Sequence, residues 1–202
     1  MSSETGMTPS ASTVDRMVRA AVKHLHDCQV NTVNVREIAA KAGVDRATAE
    51  HLFPDDEALD EAIGSYGIMM LSDSMNRALL SAPPGDNKAA LKALARAYVR
   101  WALANRELSY VLTLRLMQPD RTNSIVWKYD AGFVPLVRRF LGETEQNATR
   151  RGIIARAFLI GITDLAMHGH LELWKLKGND NMAEVDATID DLINLLLGGK
   201  PA

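Results

Sequence analysis

Residues 35–59 read VREIAAKAGVDRATAEHLFPDDEAL, and the fold turns on them. Ile38 and Ala39 give the first part a short inward-facing helix, and Lys41-Ala42-Gly43 stops it where glycine can take a left-handed conformation. Asp45 is then placed to accept an amide hydrogen bond from the first turn of a second short helix, Arg46 to Leu52. Upstream, Asn34 stands three residues before Glu37, the capping-box spacing that opens the first of these helices. Downstream, Phe53 and Pro54 break the pattern. Asp55, Asp56 and Glu57 then bring negative charge to the amino end of a longer helix running through Leu59, Ile63 and Met70. Helix, tight turn and helix at this spacing form a helix-turn-helix, whose second helix can enter a major groove. Ile38, Val44, Leu52 and Phe53 are expected to form its small core.

Helical periodicity extends outward in both directions. A first helix is expected from Val14 to about Asp27, with Val14, Met17, Val18, Ala21, Val22 and Leu25 as its apolar stripe. The opening MSSETGMTPSAST reads as a loose tail without the charged and apolar regions of a secretory signal. Beyond the head, Pro83-Pro84-Gly85-Asp86 is the clearest break. Helices are expected over Asn87–Ala104, Leu108–Met117, and from near Thr122 to near Gly142 with a kink at Pro135. One long helix should then cover Glu145–Lys175, and a last one Met182–Leu197. The chain therefore reads as all-α. It divides into a tail (1–12), a helix-turn-helix domain (13–62), a larger helical domain (63–198) and a flexible end (199–202), with the junction in the fourth helix or its first turns.

Composition bounds the function. The 202 residues are 47% hydrophobic and 24% charged, enough for a substantial globular core. A formal net charge of -2 gives no general attraction to polyanions, so any nucleic acid must meet a local patch. The single Cys28 excludes an intramolecular disulfide and a cysteine metal cluster, which makes the cytoplasm the expected compartment. No apolar run is long enough to cross a membrane.

With Ile38, Ala39, Ala42, Gly43, Val44, Thr48, Phe53, Pro54, Glu57, Ala58 and Leu59 in this arrangement, the segment from about Val14 to Ile63 resembles the TetR family of dimeric transcriptional regulators. The rest of the chain is similar only in length and helical character. The resemblance implies a protomer of about nine helices, an amino-terminal DNA-binding domain, and a carboxy-terminal domain that binds an effector and dimerises through its last two helices. It also implies a ligand-responsive regulator of the repressor type acting on palindromic operator DNA. Four positions depart from the family pattern. Glu50 stands at the usual backbone-contacting tyrosine, Asp56 at the lysine opening the fourth helix, Gln29 at a glycine and Val33 at a threonine. The first two disfavour phosphate contact. From Asp15 to Glu61 there are 6 bases against 10 acids, a poor balance for a polyanion binder. Arg36 and Arg46 are the strongest candidates for phosphate or base contact, with Thr48 and His51 beside them on the reading helix. The alternative is a regulator-like dimer with weakened or lost DNA binding that acts as a ligand-binding or protein-interaction module.

In the larger domain Tyr98, Trp101, Tyr110, Met117, Trp127, Phe133, Phe158 and Met167 supply bulk that periodicity alone assigns to core. By resemblance the surrounding helices would enclose a small hydrophobic effector, with Tyr98, Trp101, Tyr110, Met117, Trp127, Phe158 and His168 as candidate contacts. A buried indole N–H needs a partner, which singles out Trp101 and Trp127. Asp164 and His168, four apart, suit a cap or local pair better than a metal site, and His168 and His170 share no face of a continuous helix. His24 and His26 read as ordinary first-helix residues, with His24 near the candidate DNA surface. No metal or cofactor is expected. The motifs of hydrolases, nucleotide-binding loops and zinc proteases are missing, so no catalysis is expected either. The last two helices carry Ala155, Leu159, Ile162, Ala166, Leu192 and Leu196, candidates for a self-complementary dimer face.

Overall fold

A computed structural model describes residues 9–28, 30, 32–116, 125–144, 146, 150–174 and 181–198, excluding the side chains of residues 9–12, 114–116, 125–127 and 130. Among these residues the chain is all-α, with nine helices: α1 (Pro9–Cys28), α2 (Val35–Ala42), α3 (Arg46–Leu52), α4 (Asp56–Ser81), α5 (Asn87–Ala104), α6 (Arg106–Leu116), α7 (Ile125–Phe140), α8 (Arg151–Met167) and α9 (Asn181–Leu196). A short 3-10 helix, His170–Trp174, follows α8. The chain forms two compact units, Met1–Met69 with Glu107–Trp127, and Met70–Arg106 with Lys128–Ala202, the division falling inside α4.

In the first unit, α1 begins at Pro9, whose fixed φ suits a first helical turn. The helix therefore includes the last part of the segment read as tail. Its stripe buries Met17, Val18, Ala21 and Leu25 against α2, with Val14 and Val22 half-buried at its margins. Ile38, Val44 and Phe53 are buried with Leu59 and Ile63, and Leu52 is half-buried at the edge. Gly67 brings α4 against α6. A Cβ there would lie 3.1 Å from the Leu108 side chain and 3.2 Å from that of Leu112, so a larger residue would have to displace these leucines.

The second unit is built on α5, α8 and α9. Leu91, Ala95 and Val99 of α5, Ile162 of α8, and Val185, Ile189, Ile193 and Leu196 of α9 share one buried cluster with Leu141 and Leu171. Along its edge Lys92, Arg96 and Arg100 face Asp186 and Asp190. Lys92 pairs with Asp190 at 2.8 Å, Arg96 with Asp190 at 2.6 Å, and Arg100 with Asp186. These charges are four residues apart on each helix, so they fix the axial register of α9 on α5 as well as adding attraction. The carboxylate of Glu143 is buried between Arg138 and Arg151, at 3.7 and 3.4 Å, and Arg151 also donates to the Leu196 carbonyl. One guanidinium thus ties the start of α8 to the end of α9.

Two expectations are corrected here. The single helix over 145–175 is not formed: α8 ends at Met167, because Gly169 adopts φ +71° and the chain turns into the 3-10 segment. His168 caps the break, its Nδ1 donating to the Asp164 carbonyl at 2.9 Å. With the helix broken between them, the His168 and His170 rings lie 6.0 Å apart. The second correction concerns α8 and α9. Ile162 and Leu196 are buried within this chain, and Ala155, Leu159, Ala166 and Leu192 pack against the same core. The exposed apolar residues lie on the other side of α8, at Ile153, Ile154 and Ala157, and on α9 at Ala187 and Leu195. A helix apolar on both faces gives periodicity no means of telling core from outer surface. Pro135 lies inside α7.

Candidate functional site

The helix-turn-helix is assembled by hydrogen bonds its sequence largely dictates. Asn34 Oδ1 accepts from the Arg36 and Glu37 amides at 3.1 and 3.3 Å, opening α2. Gly43, at φ +62°, closes it, with the Gly43 amide bonded to the Ala40 carbonyl and the Val44 amide to that of Ala39. Asp45 Oδ1 accepts from the Thr48 amide at 2.9 Å and starts α3. Bonding with Thr48 holds the Asp45 carboxyl below its ordinary value. Asp55 starts α4 in the same way as Asp45 starts α3, its Oδ1 accepting from the Ala58 amide at 2.7 Å.

Glu37, expected to complete the capping box, instead lies 3.2 Å from Lys41 and 3.5 Å from His24. The free amino end of α2 is served by Asp56. Its Oδ1 accepts from the Val35 amide at 2.7 Å and its Oδ2 from Asn34 Nδ2 at 3.1 Å. The acid at the family's lysine position is thus a cap across the turn of the motif. His24 is buried between α1 and α2. Lys41 Nζ donates to its Nδ1 at 2.7 Å, which leaves the ring proton on Nε2 toward Glu37, and Cys28 Sγ lies 3.3 Å from Nδ1.

On α3, Ala49 is buried, while Arg46, Ala47, Thr48 and His51 are exposed. Arg36 of α2 comes to the same surface. Glu50 joins the two arginines: its Oε1 accepts from Arg46 Nε at 2.8 Å and from Arg36 Nε at 3.1 Å. Those bonds, Arg46 first, hold the Glu50 carboxyl below the usual glutamate range. The Arg46–Glu50 half of the trio is an i, i+4 pair that sequence spacing could have revealed. The Arg36–Glu50 half spans 14 residues and carries no local signal.

The candidate effector residues divide differently. Tyr98 and Phe158 pack against the core of the second unit, and Trp101 is buried on α5 with no partner for its Nε1 among the described residues. Tyr110 belongs to the first unit and is half-exposed at 49%. His168 is exposed at the end of α8, 3.3 Å from Asp164. Met117 lies outside the described residues, as does the side chain of Trp127. No group of three or more metal-ligating side chains occurs among the described residues, and none of their helices is long and apolar enough to cross a membrane.

A capped helix-turn-helix on a helical body defines a class of DNA-binding regulators, and comparison with known proteins narrows it. Residues 91–192 match the family model described as the tetracyclin repressor-like C-terminal domain. This covers just over half of the chain, which belongs to the TetR family of ligand-responsive transcriptional regulators; its members act by binding rather than by catalysis. Among solved structures, a Rhodococcus sp. RHA1 protein of unknown function is 26% identical, with a TM-score of 0.78 over 96% of this chain and 100% of its own. The fatty acid degradation regulator FadR of Bacillus halodurans is 19% identical with a TM-score of 0.65, covering 98% of each chain. AibR, solved with isovaleryl coenzyme A and operator DNA, is 14% identical with a TM-score of 0.63 over 93% of this chain and 99% of its own. No curated protein matches the sequence.

Proposed function

We propose that this regulator is a cytoplasmic repressor that binds palindromic operator DNA as a homodimer and is released by a small hydrophobic effector. Arg36, Arg46, Thr48 and His51 make the DNA contacts. The helical body takes the effector in the second unit, with Tyr98, Trp101, Phe158 and His168 as its contacts and no metal or cofactor. The domains divide the work as 13–62 for DNA and 63–198 for effector and dimerisation. The observation that carries the reading is α3, capped at Asp45 and presenting Arg46, Thr48 and His51 outward. The fold shared with AibR, whose structure contains isovaleryl coenzyme A and operator DNA, supports it.

Dimerisation belongs to α8 and α9, on the face of Ile153, Ile154, Ala157 and Leu195 that this chain leaves exposed. Two heads must then reach successive major grooves, about 34–36 Å apart. The effector favours one spacing over the other and changes DNA affinity by its differential binding. The purified protein should enrich a palindrome from a randomised duplex pool at low salt, and a hydrophobic effector should raise the melting temperature while releasing that duplex.

A second reading, a dimeric ligand-binding or protein-interaction module with weakened DNA binding, is favoured by one observation. Glu50 already occupies both arginines. Failure to enrich any duplex, with the dimer intact, would select this alternative.

A further inference from the structure

We infer that Glu50 is a positioning residue that presents Arg36 and Arg46 as a paired reader of guanine in the operator half-site; the inference rests on the DNA-binding reading above. Both arginines bond Glu50 through Nε, and to the same oxygen. No other described residue takes their terminal nitrogens, and both side chains are 64% exposed. An arginine held by Nε keeps its two terminal N–H groups facing outward as a planar fork. That fork matches the N7 and O6 acceptors of guanine in the major groove. Because they share one oxygen, the two Nε atoms lie within about 6 Å of each other. Successive bases on one strand rise by about 3.4 Å, so the forks address guanines one or two base pairs apart.

The chemistry of the trio favours base reading over backbone clamping. Two guanidinium groups this close would repel one another without the carboxylate between them, and with it the trio carries a single net positive charge. That is weak for gathering phosphates, in a segment where acids already outnumber bases. It is well suited to discrimination, since the arginine geometry is fixed before the duplex arrives.

The test takes the full chain unmodified, as E50A and as R46K through selection on a randomised duplex pool. Each protein is then titrated against the enriched duplex and against the same duplex carrying 7-deazaguanine, which lacks N7. The unmodified chain should select half-sites with two guanines one or two base pairs apart and lose about tenfold in affinity to 7-deazaguanine. E50A, which removes the shared acceptor, should bind at low salt at least as tightly, because a negative charge is gone, yet lose most of that sensitivity. R46K should relax selection at one guanine only. Undiminished guanine selection by E50A, or half-sites without guanine, would overturn the inference while leaving a DNA-binding protein. A loss in R46K that is uniform across sequences would assign Arg46 to phosphate and overturn it equally. If no duplex is enriched by any of the three proteins, all helical and dimeric, the DNA-binding reading itself falls.

Discussion

Replacing Asp56 by lysine should destabilise the head even though it restores the charge usual in the family. Asp56 accepts a 2.7 Å bond from the Val35 amide and a 3.1 Å bond from Asn34. Val35 is 4% exposed, so its amide loses a charge-assisted acceptor with little water to replace it. Such a bond contributes about 1.5–3 kcal/mol. A cation at the amino end of α2 adds about 0.3–1 kcal/mol of unfavourable interaction with the helix dipole. The expected loss is about 2–3 kcal/mol for D56K, about 2 for D56A, and less for D56N, which keeps an acceptor oxygen. Denaturant unfolding followed by circular dichroism reads it directly; in a thermal melt the D56K loss corresponds to a drop of about 5–10 °C. If D56A and D56K both stay within about 0.5 kcal/mol of the unmodified protein, Asp56 is an ordinary surface acid and the capping argument is wrong.

Gly43→Ala should cost about 1–2 kcal/mol by the same measurement, from its φ of +62° alone, since nothing lies within 4 Å of the added Cβ; an unchanged melt would remove the strain argument. Glu50 and Asp45 are held below their ordinary values, so what they contribute to the folded head is present above those values and lost as pH falls through the lowered ones. Head stability should therefore hold down to about pH 4.3 and decline only below it; a decline beginning above pH 5 would point to other groups. Ile153→Lys with Leu195→Lys, at side chains 72% and 58% exposed, should yield a folded monomer by sedimentation, whereas a persistent dimer would move the interface elsewhere.

What could be read from sequence followed the range of the interactions involved. Asn34, Gly43 and Asp45 act within a few residues of themselves, and each performs its expected local role. The same holds for α5, whose limits, Asn87 and Ala104, are those its break and periodicity implied. In the sequence Glu50 and Asp56 stand out as charges that disfavour phosphate contact, whereas their bonds to Arg36 and Val35, 14 and 21 residues away, leave no local signal. In three dimensions one acid orients two arginines and the other caps a helix. Periodicity also misjudged α8. With apolar residues at 153, 154 and 157 as well as at 155, 159 and 162, it marks no single inner side, and only the packed core separates them. The break at Gly169 was missed because a lone glycine in an apolar run is a weak stop until its φ is known.

The α5–α9 register has a consequence for how the chain comes to be folded. Arg96 waits for a partner 94 residues further along, while the bonds from Glu50 to Arg36 and from Asp56 to Val35 and Asn34 span 14 to 22. Loops of such different length close at different times, local ones first. As the chain emerges in order of synthesis, the head can complete its bonds while α5 still carries three unneutralised bases and an uncovered apolar stripe. Only the arrival of α9 supplies both the acids and the core residues that cover them. During that interval the second unit is the aggregation-exposed part of the molecule, and lesions in α9 should reduce the yield of soluble protein more than equally destabilising lesions in the head.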